Sequence, residues 1–163
     1  MKNEEIVAIK QAILMEIEGY EFYKMAQSQF DNPDVKDAFA HLMEEEKMHA
    51  KWLEEAHQKL NTAPDSKETL SFLETTPSAK IFDWSKLMQK SAQSPLAVFG
   101  IALELEKASM DHYQKQSELA TEPQLKTLFD ILMRWEKSHY DQFNGLYKEL
   151  KDEWWAEQNF APY

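Results

Sequence analysis

Glu46 and His49 stand one helical turn apart, and Glu136 and His139 repeat that pair ninety positions later. Each pair also trails a further glutamate by thirty residues, Glu16 before Glu46 and Glu106 before Glu136. On a helix, residues three apart are surface neighbours, so each Glu-x-x-His presents an oxygen and a nitrogen donor side by side. Carboxylate and imidazole without thiolate suit iron or manganese better than structural zinc. A single Glu-x-x-His belongs more often to a solvated face, and its recurrence is what argues for a site.

The recurrence extends well beyond the donors. With the chain shifted by ninety positions, Pro33 falls on Pro123, Phe39 on Phe129, Leu42 on Leu132 and Met43 on Met133. Upstream, Ala12 falls on Ala102 and Tyr23 on Tyr113. Such self-similarity marks a duplicated structural unit. His41, His57 and His112 have no histidine counterparts, since Ile131, Tyr147 and Phe22 stand at the matching places, and they are read as non-ligands.

The elements that must carry these residues are helices. Apolar periodicity predicts four long ones, over about 4–29, 33–60, 94–119 and 121–155. Pro33, Pro95 and Pro123 provide helix starts, and Asn3 is a candidate N-cap. At about 100° per residue, Glu16 shares its face with Ile9, Ile13, Tyr20 and Tyr23. Glu46 lies among Phe39, Leu42, Met43, Ala50 and Leu53, and its neighbours Glu44 and Glu45 read as ordinary surface charge. Glu106 falls with Phe99, Ala102, Leu103 and Tyr113, and Glu136 with Leu132, Met133 and Phe143. Periodicity therefore selects four of the 29 acidic residues as inward-facing.

Hairpin geometry sets those four at one height. Glu16 and Glu46 are equidistant from Asp31 at the first turn, as Glu106 and Glu136 are from Thr121 at the second. Each arm is on the order of 22 Å at ~1.5 Å per residue. The segment 61–93 is far longer than the ~2–8 residues usual between antiparallel bundle helices. It fits a crossover along the bundle, with a short helix predicted over 78–90. The expectation is a single all-α domain: a ferritin-like four-helix bundle of two repeated hairpins, about 4–60 and 94–155. Trp154, Trp155, Phe160 and Tyr163 are expected to cover an apolar surface of the bundle or of a partner subunit.

Four buried carboxylates need compensation, because each desolvated ion costs several kcal/mol. No lysine or arginine falls on these stripes, whereas two divalent cations would balance the charge. The bulk composition agrees. A net charge of −11 disfavours nucleic acid and anionic membranes as partners. The absence of cysteine removes disulfides, thiol catalysis and thiolate-bound metals. No apolar run approaches the ~20 residues that span a bilayer. The N-terminus does not look like a signal peptide, so a cytoplasmic location is expected.

The chain resembles the rubrerythrin-like branch of the ferritin-like superfamily across both hairpins. The resemblance is carried by MEIEGYEFYKMA and LMEEEKMHAKWLEE, and by the degenerate copies LELEKASMDHYQK and LMRWEKSHYDQF. It implies a di-iron centre, with manganese or a mixed pair as alternatives. Glu46 and Glu136 would bridge the ions, Glu16 and Glu106 would be terminal ligands, and His49 and His139 would each cap one. It also implies that Tyr23 and Tyr113 lie near the cluster, as packed aromatics or as redox or hydrogen-bonding groups. Two departures stand out. Without cysteine there is no rubredoxin-type iron site, so electrons would arrive from a separate donor protein such as a rubredoxin. Ser109 stands where rubrerythrin has an extra glutamate, which puts its peroxide-linked ligand exchange in doubt.

Three functional readings follow. The favoured one is an oxidoreductase that reduces hydrogen peroxide or dioxygen. The second is a protein that oxidises and stores ferrous iron without turnover, and the third is a structural helical module with incidental metal. A homodimer is expected, and the long connection would allow its hairpins to be exchanged between subunits.

Overall fold

Proline at the first helical position starts three of the four helices, where its missing N–H has no intrahelical acceptor to lose and its φ is preset. The computed structural model describes residues 3–31, 33–60 and 95–157. These form α1 (Asn3–Gln27), α2 (Pro33–Leu60), α3 (Pro95–Leu119) and α4 (Pro123–Glu157), and no strand occurs among them. The architecture is the all-α, ferritin-like bundle expected from the periodicity.

Boundaries agree closely with the reading of the sequence, with small physical differences. α1 stops at Gln27 because the chain tightens there: Gln29 N bonds Ala26 O and Phe30 N bonds Gln27 O, both three residues back. Gln27 Nε2 then donates to Lys36 O at 2.9 Å, tying the turn to α2. At its other end α4 runs two residues past the expected 155. Trp154 and Trp155 lie just before that extension, keep 43% and 37% of their surface exposed, and meet edge to face. The 61–93 crossover, its 78–90 helix, Phe160 and Tyr163 lie outside the described residues.

Two apolar clusters fill the bundle, each drawing on all four helices. One gathers Phe22, Phe30, Phe39, Val98, Phe99 and Phe143, with Phe39 stacked on Phe30 and on Phe99 at 5.6 and 5.4 Å. The other gathers Ile9, Ile13, Leu53, Tyr113, Phe129 and Leu132. Since α3 begins in the first cluster and α2 runs on through the second, α2 ends and α3 begins at opposite ends of the bundle. On every helix the inward glutamate lies between the stretches that build the two clusters. Burial of side chains of this size stabilises by about 1.5–3 kcal/mol each, and that is what holds four carboxylates away from water. No helix among the described residues is long and apolar enough to cross a membrane.

Candidate metal centre

Helical phase delivers all six donors to the middle of the bundle. Glu16, Glu46, Glu106 and Glu136 are 2–4% exposed, and His49 and His139 are 0% and 1% exposed. They form two overlapping groups, Glu16, Glu46, His49 and Glu136 on one side and Glu46, Glu106, Glu136 and His139 on the other. Within each group the donor atoms lie within 4.8 Å of one another. Glu46 and Glu136 belong to both.

The arrangement has approximate twofold symmetry. His49 Nδ1 lies 3.3 Å from Glu16 Oε2, 3.3 Å from Glu136 Oε1 and 3.8 Å from Glu46 Oε2. His139 Nδ1 lies 3.4 Å from Glu106 Oε2, 3.7 Å from Glu136 Oε2 and 3.8 Å from Glu46 Oε1. Each imidazole thus faces one terminal and two shared carboxylates. The rings are near-parallel, with centroids 5.7 Å apart.

Electrostatics show how unsettled the cluster is with only its own charges. Burial, then repulsion from Glu136 and Glu16, raises the Glu46 carboxyl well above its usual range, and burial and Glu136 do the same to Glu106. Burial also opposes ionisation of Glu136, but the two histidines outweigh it and hold that carboxyl low. Burial lowers the pKa of His49, yet Glu136, Glu16 and Glu46 push it up to about 12, and His139 is raised by Glu106, Glu136 and Glu45 in the same way. Surplus negative charge thus favours protons on the imidazoles, a charge imbalance that cations could relieve.

The donor set fits a metal on a second ground. Glu106 Oε2, Glu136 Oε1 and His139 Nδ1 are buried without an aligned hydrogen bond, although opposite charges lie within 4 Å. Their lone pairs converge without pairing with one another, and no lysine or arginine is buried among the described residues. Carboxylates and imidazoles so disposed could hold metal ions.

The two hairpins are also locked across the centre. Tyr23 Oη donates to Glu106 Oε1, and Tyr113 Oη donates to Glu16 Oε1, so each hairpin's tyrosine serves the other's terminal glutamate. Burial and the nearby Glu16 carboxylate raise the pKa of Tyr113, keeping its proton in place. A narrow cleft between α1 and α3 reaches the carboxylates, bordered by Met15, Gly19, Leu105 and Ser109. Its free volume is about 10 Å³, the space of roughly one water molecule. A Cβ at Gly19 would stand 3.3 Å from Glu46 Cδ, a tight contact that would press on a shared carboxylate.

A rubrerythrin family model matches residues 8–147, the span that holds all six donors. The chain belongs to the rubrerythrin family. Among solved structures, a hypothetical protein from Pyrococcus furiosus superposes with a TM-score of 0.70 over 91% of this chain and 90% of that one, at 20% identity. At that identity the likeness speaks for the fold alone. A search of curated proteins finds no match.

Against the rubrerythrin-type ligand pattern, the structure also shows what periodicity overlooked. Glu45 is not ordinary surface charge. Its carboxylate is one-third exposed and its Oε2 lies 3.0 Å from the buried His139 Nε2, off the N–H direction, so the contact is an ion pair rather than an aligned hydrogen bond. His139 in turn holds the Glu45 carboxyl below the usual range. Trp52 and Trp135 box the His49 ring at 5.7 Å each. Glu45 and Trp135 are each one residue before a shared glutamate, a position that helical phase puts at the edge of the inner stripe. His41 is exposed and His57 and His112 are half-buried; none joins the cluster.

Proposed function

We propose that the centre holds two iron ions and that the protein is an oxidoreductase, reducing hydrogen peroxide or dioxygen with electrons from a separate donor. The observation that carries this reading is the overlap of the two four-donor groups through Glu46 and Glu136. One ion per group, with two shared carboxylates, uses every donor once or as a bridge. Glu16 and Glu106 would then hold one ion each as terminal ligands, and His49 and His139 would each supply Nδ1. Manganese or a mixed pair satisfies the same donors.

A bound iron pair would supply the two electrons that convert hydrogen peroxide, with two protons, into two water molecules. The chain's own residues provide the remainder. The apolar clusters exclude bulk water, and the cleft beside Gly19 and Ser109 admits a molecule of only a few atoms, which supports a small oxidant. Tyr23 and Tyr113 keep Glu106 and Glu16 oriented and hold a proton at Oη next to the reacting space. The proposed source of electrons lies outside the described site, in a small redox protein such as a rubredoxin. The open flank at Ser109, in place of a seventh carboxylate, leaves six ligands to do the chemistry.

Anaerobic loading with ferrous iron followed by peroxide tests the reading. Two equivalents bound, and sustained peroxide consumption with an external reductant, are expected. One oxidation per site with no further turnover would favour ferrous-iron oxidation and storage. Failure to bind iron would leave a structural helical module.

A further inference from the structure

The two halves differ at several places beside the centre, and one of these sets different chemistry against the two histidines. Glu45 and Trp135 occupy equivalent positions, ninety residues apart, each just before a shared glutamate. Each reaches across to the other hairpin's histidine. Glu45 sets a carboxylate 3.0 Å from His139 Nε2. Trp135 sets an indole ring edge-on to His49, 5.7 Å between centroids. His49 Nε2 is buried, makes no hydrogen bond and faces no carboxylate among the described residues; its surroundings are Trp135 and Trp52. The same register therefore carries opposite chemistry.

A carboxylate beside the distal nitrogen of a metal-binding histidine favours keeping the proton on that nitrogen, so that a metal displaces the proton from the other one, and makes that other nitrogen a stronger donor. For His139 the nitrogen that would be left to a metal is Nδ1, the atom facing Glu46, Glu106 and Glu136. For His49 the carboxylates among the described residues lie at Nδ1, and none pairs with Nε2. We infer that Glu45 is a positioning residue for His139 and makes the two metal positions unequal, the His139 side filling first. This rests on the centre binding a pair of divalent ions.

Cobalt(II), which is redox-silent in this setting and coloured, is the probe. Titration of the full chain, followed by calorimetry and d–d absorption, is expected to show two steps separated by about tenfold or more. Glu45→Gln should weaken the tighter step by ~10–100-fold and the weaker step far less. Glu45→Asp, which keeps the charge, should recover part of the loss. In a His139→Ala background Glu45→Gln should have no further effect, whereas in a His49→Ala background it should still weaken the remaining step. Because Glu45 is one-third exposed, its glutamine variant keeps the packing, and apoprotein unfolding checks this. Two equal steps in the native protein, or a Glu45→Gln effect that persists without His139, would overturn the inference. No cobalt bound at all would overturn the two-metal reading itself, and this inference with it.

Discussion

Glu46 is under two opposed demands. It is 4% exposed, near Glu16 and Glu136, and burial favours a protonated carboxyl; to serve as the proposed metal bridge it would have to lose that proton. Glu46→Gln removes the charge at constant shape. The metal-free variant is expected to be more stable than the native apoprotein at neutral pH by on the order of 1 kcal/mol, or ~2–4 °C in Tm, while binding fewer than two ions. Calorimetric melting and metal analysis read the two effects separately. The tyrosines obey the opposite logic, since each hydroxyl satisfies a buried carboxylate oxygen. Tyr23→Phe and Tyr113→Phe should each cost ~1–3 kcal/mol in urea unfolding, with near-equal losses if the twofold arrangement holds in solution. If the hydroxyls also supply protons, peroxide turnover falls by more than the change in metal content explains.

Elements meet at a contact that spans both hairpins. Glu5, on the first turn of α1, is 6% exposed and its Oε1 accepts from Thr121 N at 2.7 Å, Thr121 Oγ1 at 2.8 Å and Glu122 N at 3.0 Å. A side chain from one helix thus caps the start of another, satisfying N–H groups that α4 cannot satisfy internally and placing negative charge at its positive end. Glu5→Ala should cost ~1 kcal/mol and speed amide exchange over 121–126 first. Exchange that rises evenly through α4 would argue against the local cap. The helices themselves follow from local grammar: proline starts at 33, 95 and 123 and uninterrupted apolar stripes gave bounds within two residues of those observed.

At the scale of the whole molecule, pH and metal act on one balance. Glu46 and Glu106 are raised above 4.5, and His49 is raised from 6.5 to about 12. The folded apoprotein therefore binds more protons than the unfolded chain across that window, and its stability falls as pH rises through it. Glu136, held low, works in the other direction: its contribution is present above 4.5 and lost in acid. With Glu46, Glu106, His49 and His139 raised against Glu136 and Glu45 lowered, the apoprotein's Tm is expected to drop between about pH 6 and pH 9. In the proposed two-metal state divalent ions would take over the role of those protons, so metal affinity should increase with pH, and metal at 100 times its Kd should add about 2.7 kcal/mol. Melting curves with and without cobalt across that range check both statements. A homodimer with exchanged hairpins would rebuild the same centre, since Glu16 and Glu46 come from one hairpin and Glu106 and Glu136 from the other.

What the sequence by itself determined is whatever depends on a helix's own phase and length. Six donors out of many acidic and histidine residues could be selected because 100° per residue fixes which side chains share a stripe, and equal arms fix their height. The tertiary structure alone decided what each helix finds opposite. Tyr23 meets Glu106 and Tyr113 meets Glu16, Glu5 reaches Thr121, and Glu45 turns from solvent to His139 because α4 packs against its edge of α2. Rotation about one axis says where a side chain points. Only the packing of a second axis beside it says whether water, a ring or a charge is waiting there.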